Sequence, residues 1–221
     1  MSRSWKTIVI HRIMDREIER CAAAYFRGAR LVDIGCGTKP YEAMLRPYVS
    51  EHVGVDRPEP FNETARVDLT GTAYAIPAPD GAFDAALSSA VLEHLDEPEA
   101  AIRESHRVLR PGGVAVYLAP MIWHLHAEPH DYYRFTNHGL RHLFEKSGFT
   151  VVELKALSGF GVTFATLFSY WAGRWHRGPM RLLPVIPAAG IAAQGLGAAI
   201  DWIDRSPGWT WMWTVVARKD R

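Results

Sequence analysis

The chain has 221 residues, a net charge of +1, 48% hydrophobic residues and two cysteines. That length suits one α/β domain with a modest added element and a sizeable core. The balanced charge argues against nucleic acid as a main partner, and Cys21 and Cys36 are too few for a disulfide framework, which fits a reducing, cytoplasmic setting.

Charges interrupt every apolar stretch of the N-terminal MSRSWKTIVIHRIMDREIER, which argues against a signal peptide. Within a segment 1–28 read as a lid, residues 5–26 form an amphipathic helix. Ile10, Met14, Ile18, Cys21 and Tyr25 recur at steps of three and four, as one helical face requires. Arg30 to Ile34 is a short apolar strand entering a glycine-rich turn, and Pro40 to Tyr48 suits a helix with proline in its first turn. HVGVD at 52–56 and ARVDL at 65–69 read as strands, and TGTAYAIPAPDGAFD as a loop. Strands follow at 85–89 and 113–118, flanking a helix at 97–109 that Pro111, Gly112 and Gly113 are expected to stop. A helix at 139–146, capped by Thr136 or Asn137 and ended by Gly148, precedes strands at 150–157 and 211–217. The alternation predicts a Rossmann-like, doubly wound, mostly parallel seven-stranded α/β sheet in a single domain, 1–221. An apolar helical insertion at 158–206 precedes the last strand.

The segment LVDIGCGTKPYEAM carries the first chemical signal. Glycine lets a backbone turn tightly and approach a ligand, and open α/β sheets bind ligands beyond the carboxyl ends of their strands. A dinucleotide fingerprint needs Gly or Ala where Pro40 stands, and Asp33 would repel a pyrophosphate. Asp33 suits an ammonium group instead. Asp56 ends the next strand, where an acid accepts hydrogen bonds from ribose hydroxyls. Asp68, with Leu69, ends the one after, where an adenine would lie. A nicotinamide-dependent oxidoreductase and a non-catalytic cofactor-binding module remain the rival readings.

These motifs, with FDAALSSAVLEHL and RESHRVLRPGG, make the chain resemble the class I S-adenosylmethionine-dependent methyltransferases of the small-molecule type over about residues 29–157. The resemblance implies S-adenosylmethionine as cofactor. Asp33, Gly35, Cys36 and Gly37 would lie along its methionyl part, Asp56 and Arg57 at the ribose, Asp68 and Leu69 at the adenine, and Ser89 at the floor. Many members carry a third glycine where this chain has Lys39.

The acceptor should enter at APMIWHLHAEPHDYYRFT, which follows a strand's carboxyl end. An alcohol acceptor needs a general base, and histidine works near neutral pH. The pattern H-x-x-P-x-D-Y-Y-R-F-T resembles a methyltransferase subgroup linked to sugar, polysaccharide or lipid-linked metabolism. On that resemblance the catalytic candidates are His126 as base with Asp131, then Tyr133 and Arg134. The competing reading is a packed loop in which Asp131 and Arg134 pair. His124, His126, His130 and Asp131 could also ligate a metal, but magnesium prefers oxygen ligands, so none is expected. Glu93 reads as a helix-start residue, and His94 as one that touches the cofactor or merely packs, outside the catalytic set.

Methylation at oxygen of a small-molecule or lipid- or sugar-linked acceptor is the leading expectation, with C-methylation of a quinone- or lipid-like acceptor as the alternative. Ala156–Gly173 and Leu182–Ile200 carry no charge and are separated by the basic RWHRGPMR. Each run approaches the about 20 residues a membrane span needs, but both hold several glycines. A cap or homodimer surface is the commoner use of such apolar patches, and peripheral membrane contact the next.

Overall fold

A computed structural model describes residues 4–57, 66–204 and 206–220. Its contacts cluster into two compact units. One comprises Met1–Glu17, Met121–His124 and Ala156–Met212; the other comprises Ile18–Pro120, Leu125–Lys155 and Trp213–Arg221.

The larger unit is built on the sheet. Its strands are β1 (Ala29–Ile34), β2 (Val49–Asp56), β3 (Leu69–Thr70), β4 (Phe83–Ser89), β5 (Leu109–Pro120), β6 (Phe149–Ala156) and β7 (Met212–Lys219), in the order β3-β2-β1-β4-β5-β7-β6. β1 pairs in parallel with β2 and β4, and β4 with β5. The chain leaves β1 toward one edge and returns to β4 on its other side. The order therefore reverses between β1 and β4, the place where such sheets take ligands. Leu31, Val32 and Ile34 of β1, Ala85–Leu87 of β4 and Ala115–Ala119 of β5 are buried. Continuous apolar runs of this kind mark strands covered on both faces.

The helices are α1 (Ile8–Tyr25), α2 (Glu42–Leu45), α3 (Pro98–Val108), α4 (Asn137–Lys146), α5 (Phe160–Ala172) and α6 (Val185–Ile203). α1 buries Ile10, Met14, Ile18 and Cys21 of the expected stripe, while Tyr25 at its end is only half-buried and its hydroxyl reaches Glu153. Thr136 caps α4, its hydroxyl accepting from the Gly139 amide at 3.0 Å. Three expectations need correction. The helix after the glycine turn is a single turn, Glu42–Leu45, because Tyr48 and Val49 already feed β2. Of the strand expected at 65–69, Ala65 lies outside the described residues and only Leu69 pairs. Asp68 points its carboxylate at the Gly54 amide at 2.7 Å instead. Finally, α3 stops at Val108 before Pro111, and Pro111–Gly113 lie inside β5. There a Cβ on Gly113 would sit 2.8 Å from the Arg110 carbonyl oxygen, so the strand needs glycine at that bend.

The smaller unit contains the helix pair α5 and α6, which together fill the apolar insertion. Their backbones touch: a Cβ on Gly161 would lie 2.3 Å from the Gly197 carbonyl oxygen. Trp5 covers Gly190 in the same way, where a Cβ would lie 2.4 Å from its ring.

Candidate functional site

The glycine turn leaves β1 at the switch point. Gly35 and Gly37 adopt φ of 73° and 51°, in the left-handed region that suits glycine. At Gly35 space is also limiting, since a Cβ would lie 2.6 Å from Val91. Asp56, at the end of β2, holds the turn: its carboxylate accepts from the Gly37 amide at 2.7 Å and the Arg57 amide at 2.8 Å. A carboxylate offers about four lone-pair sites, so two such bonds leave acceptor capacity.

Asp33 belongs to β1 rather than to the turn, facing Gly54 across the ladder. It is buried, and His52 Nε2 lies 3.0 Å from its carboxylate. Sequence reasoning passed over His52, whose only signal was an imidazole just before the apolar Val53-Gly54-Val55. Lys39 takes φ 51°, a left-handed conformation that glycine adopts far more readily than a side-chain-bearing residue. Its buried ammonium donates to the His52 carbonyl oxygen at 2.9 Å and pairs with Asp68. Gly54 makes room for it, because a Cβ there would lie 2.4 Å from Lys39 and 2.6 Å from Cys36. Partial burial pushes the Asp68 carboxyl up, but hydrogen bonds from Lys39 and Gly54 outweigh it and hold the group below its ordinary value. Burial, then the Asp33 charge, pushes the Cys36 thiol up to about 12, so it stays protonated and unreactive.

A cleft of about 420 Å³ opens beside the turn. Gly35, Asp56 and Arg57 line it, joined by Thr72 and Tyr74 after β3, by Ala90 and Val91 after β4, and by His94, His130 and Tyr132. Its size matches a drug-sized cofactor. Ser89 closes β4 just before Ala90, whose φ is 56°. Asp33, Cys36, Gly37, Asp68, Leu69 and Ser89 do not form its walls; the first four brace the turn and the strands behind it.

The catalytic candidates gather at one edge of this unit. Arg134 grips Asp131 with two hydrogen bonds, at 2.7 and 2.8 Å, and the His126 amide adds a third at 2.9 Å. These bonds, Arg134 foremost, hold the Asp131 carboxyl well below the usual range. Asp131 Oδ2 also lies 3.4 Å from His126 Nδ1. The Tyr133 hydroxyl donates to the Asp96 carbonyl oxygen at 3.0 Å. His124 falls in the smaller unit, its ring 4.4 Å from that of Tyr170.

Two neighbours were undervalued. Glu93 does not start a helix. It lies in a 3-10 turn, Leu92–His94, that α3 does not reach, and its carbonyl oxygen accepts from the Tyr132 amide at 2.9 Å. Its side chain is buried, Oε2 has no hydrogen-bond partner, and burial pushes the carboxyl up to about 7. His94 donates from Nδ1 to the His130 carbonyl oxygen at 2.7 Å, and its ring meets that of His126 at 4.8 Å. Glu93, His94 and His126 bring one ligating atom each to within 4.8 Å of one another, a set that could hold a divalent ion. The spacing within Glu93-His94 was visible in the sequence; the approach of His126 was not.

A glycine turn at the switch point, held by the acid that ends β2 and opening on a cleft, stands where open α/β sheets take their ligands. The methyltransferase domain family matches residues 32–117. The chain is 26% identical over 182 residues to 2-methyl-6-phytyl-1,4-hydroquinone methyltransferase 1 of Oryza sativa, covering 72% of this chain and 48% of that one. It is 33% identical over 101 residues to the ubiquinone biosynthesis O-methyltransferase of Ruegeria pomeroyi, covering 41% of each. An S-adenosylmethionine-dependent methyltransferase structure from Thermotoga maritima superposes with a TM-score of 0.61 at 20% identity, over 97% of this chain and 93% of that one. Residues 32–117 thus match a methyltransferase domain, the fold is that of S-adenosylmethionine-dependent methyltransferases, and domain family and fold together imply S-adenosylmethionine as methyl donor. The chain spans less than half the length of the two curated relatives.

Proposed function

We propose that this protein transfers the methyl group of S-adenosylmethionine to an oxygen of a small-molecule acceptor. The observation that carries the proposal is the cleft at the switch point, with Gly35 and Asp56 in its wall. Asp56 would take the ribose hydroxyls, and the turn at Gly35 and Gly37 would lie along the methionyl part. The buried Asp33–His52 pair would set the charge behind that part. Tyr74 and Thr72 would flank the adenosine. Asp68 and Leu69 would act from behind, by fixing β3 rather than by touching the cofactor.

When bound, the cofactor supplies an electrophilic methyl group on a sulfonium, whose leaving group is already good. The protein therefore has to place the acceptor, exclude water and take one proton. His126 is the base in this reading. Asp131 sits at its Nδ1, and that carboxylate is itself fixed by Arg134, so the ring's orientation is set. Arg134 and Asp131 thus position the base rather than meet substrate. The ring contact with His94 places His126 beside a residue that lines the cleft. The names of the two curated relatives, a hydroquinone methyltransferase and a ubiquinone biosynthesis O-methyltransferase, favour an acceptor bearing a hydroxyl on an apolar frame.

The test is a thermal-shift titration with S-adenosylhomocysteine, NAD and NADP, followed by turnover on hydroquinone-type acceptors. Ligand at a hundredfold excess over its dissociation constant should add about 2.7 kcal/mol of stability, with the adenosyl ligand alone. His126→Ala should keep that shift and lose turnover. A shift with a nicotinamide instead would refute the cofactor assignment, and full turnover in His126→Ala would refute the base.

A further inference from the structure

α6 is a helix whose composition and surroundings disagree. Over its 18-residue window the mean hydropathy is 1.2, yet only 17% of that window is buried. The buried residues are Gly190, Gln194 and Gly197, one narrow stripe. Leu196 is 64% exposed and Trp202 is 74% exposed. A soluble helix shows an apolar stripe toward its core and a polar face toward water; a helix apolar around its circumference belongs to an apolar medium. α5 repeats the pattern on its outer side, where Phe160, Phe164, Phe168 and Trp171 are exposed at helical spacing. Together they make a patch far beyond what single exposed residues produce.

The interior of the pair has the features that lipid demands. Small residues let the two backbones meet, as in membrane helix packing. The polar side chains between the two helices find partners close by. Thr163, Thr166 and Ser169 donate back to carbonyl oxygens four residues earlier, at 2.7, 2.8 and 2.8 Å. Gln194 donates to the Trp5 carbonyl oxygen at 2.9 Å and accepts from the Val9 amide at 3.2 Å. Asp201 accepts from the Gly159 and Gly161 amides at 2.6 and 2.7 Å, closing the start of α5.

Charge names the occupant. Between Lys155 and Asp201 the chain has no acid, and its only formal charges are Arg174, Arg177 and Arg181, all exposed in the connection between the helices. Exposed Trp171 and Trp175 stand beside them. Aromatic residues with nearby arginines are the composition of a membrane interface, and arginines without acids complement anionic headgroups. Length sets the orientation. The 13 residues of α5 reach about 20 Å at 1.5 Å per residue, short of a hydrocarbon core of about 30 Å. Insertion tip-first would also carry three arginines across. We propose that α5 and α6 lie in the plane of an anionic lipid surface, with their outer apolar faces at the acyl boundary and Arg174, Arg177 and Arg181 against the phosphates.

The experiment is flotation of the full chain with vesicles of phosphatidylcholine, with and without one quarter phosphatidylglycerol, read alongside tryptophan emission. The expected result is flotation with the anionic vesicles and a blue shift, both reduced by high salt. The double variant Arg177→Gln/Arg181→Gln should partition about thirtyfold more weakly, at roughly one basic residue per fivefold. Leu182→Asp/Leu196→Asp, at exposed positions, should weaken it at least about tenfold without lowering the melting temperature. Absence of flotation on anionic vesicles overturns the proposal. So does flotation indifferent to lipid charge and to the arginine variant. So does a homodimer by light scattering that Leu196→Asp dissolves while no vesicle binding is seen, since a second copy would then cover the face. Lipid binding does not require methyl transfer; only the corollary that the acceptor is lipid-borne rests on that reading. The adenosylhomocysteine shift reports on the cofactor site separately, so the two can fail independently.

Discussion

Gly35 offers a direct test of how the cleft is built. Replacing it with alanine imposes two costs. A Cβ in the left-handed region costs roughly 1–2 kcal/mol, and the same φ penalty applies at Gly28, where φ is 70°. At Gly35 the new methyl would also sit 2.6 and 2.8 Å from the two Val91 methyls, whereas at Gly28 it meets nothing within 4 Å. Overpacking of that kind adds about 1–3 kcal/mol. Gly35→Ala should therefore cost about 2–5 kcal/mol, against roughly 1–2 for Gly28→Ala. For a chain of this size each kcal/mol moves the melting temperature by about 2–4 °C. The loss of conformational freedom in the unfolded chain favours both variants equally and cancels in the comparison. Thermal unfolding by circular dichroism reads the difference. Because Val91 lines the cleft, its displacement should also weaken adenosylhomocysteine binding in Gly35→Ala and not in Gly28→Ala. Adding Val91→Ala to Gly35→Ala should recover part of both losses. Equal melting temperatures for the two glycine variants, or no recovery with Val91→Ala, would show that Val91 does not limit the turn.

Asp56→Ala should weaken adenosylhomocysteine binding about 10- to 100-fold, the worth of a charged hydrogen-bond acceptor, while Asp56→Asn should lose less; calorimetric titration checks both. Arg134→Gln should cost about 3 kcal/mol at neutral pH by leaving the buried Asp131 carboxylate without its guanidinium, measured by urea unfolding. Because the folded Asp131 value is depressed, its contribution is complete above the unfolded value of about 3.9 and is lost as pH falls below it. That acid-side loss should flatten in Arg134→Gln. Thr136→Ala should cost about 1 kcal/mol through the lost cap of α4, lowering the melting temperature by a few degrees with cofactor binding unchanged.

The elements most legible in the sequence were those whose signal is local. α1 announced itself by a stripe at steps of three and four, and α4 by Thr136 before it and Gly148 after it. The first, second and fourth strands carried apolar runs into turn residues. β3 was misplaced because two residues of pairing leave little pattern, and the acid beside them, Asp68, was spent on a long-range bond to Gly54. The stop at Pro111-Gly112-Gly113 failed for a related reason. Those residues do end helices, but the chain had already left α3 at Val108, and a strand whose register shifts against its neighbour has the same need for glycine.

The site divides along the same line. Gly35, Asp56 and the Asp131–Arg134 pair were readable because a turn, a strand end and a three-residue spacing each have local causes. The roles of Lys39, His52 and Glu93 were not, because each is fixed by a partner far away in sequence or by burial. Lys39 illustrates the difference. At the level of pattern it replaces a glycine and makes the turn less open. In the fold it accepts the left-handed conformation and reaches under β2, through the gap left by Gly54, to pair with Asp68. The lysine thus replaces glycine's conformational freedom with a tether from the turn to the start of β3. Gly54 clears both Lys39 and Cys36, and Asp68 takes both the lysine and the Gly54 amide. A substitution of Lys39 alone would take the charged partner from Asp68, leave it the Gly54 amide and water, and open a void under β2, so these three positions act together to fix the glycine turn.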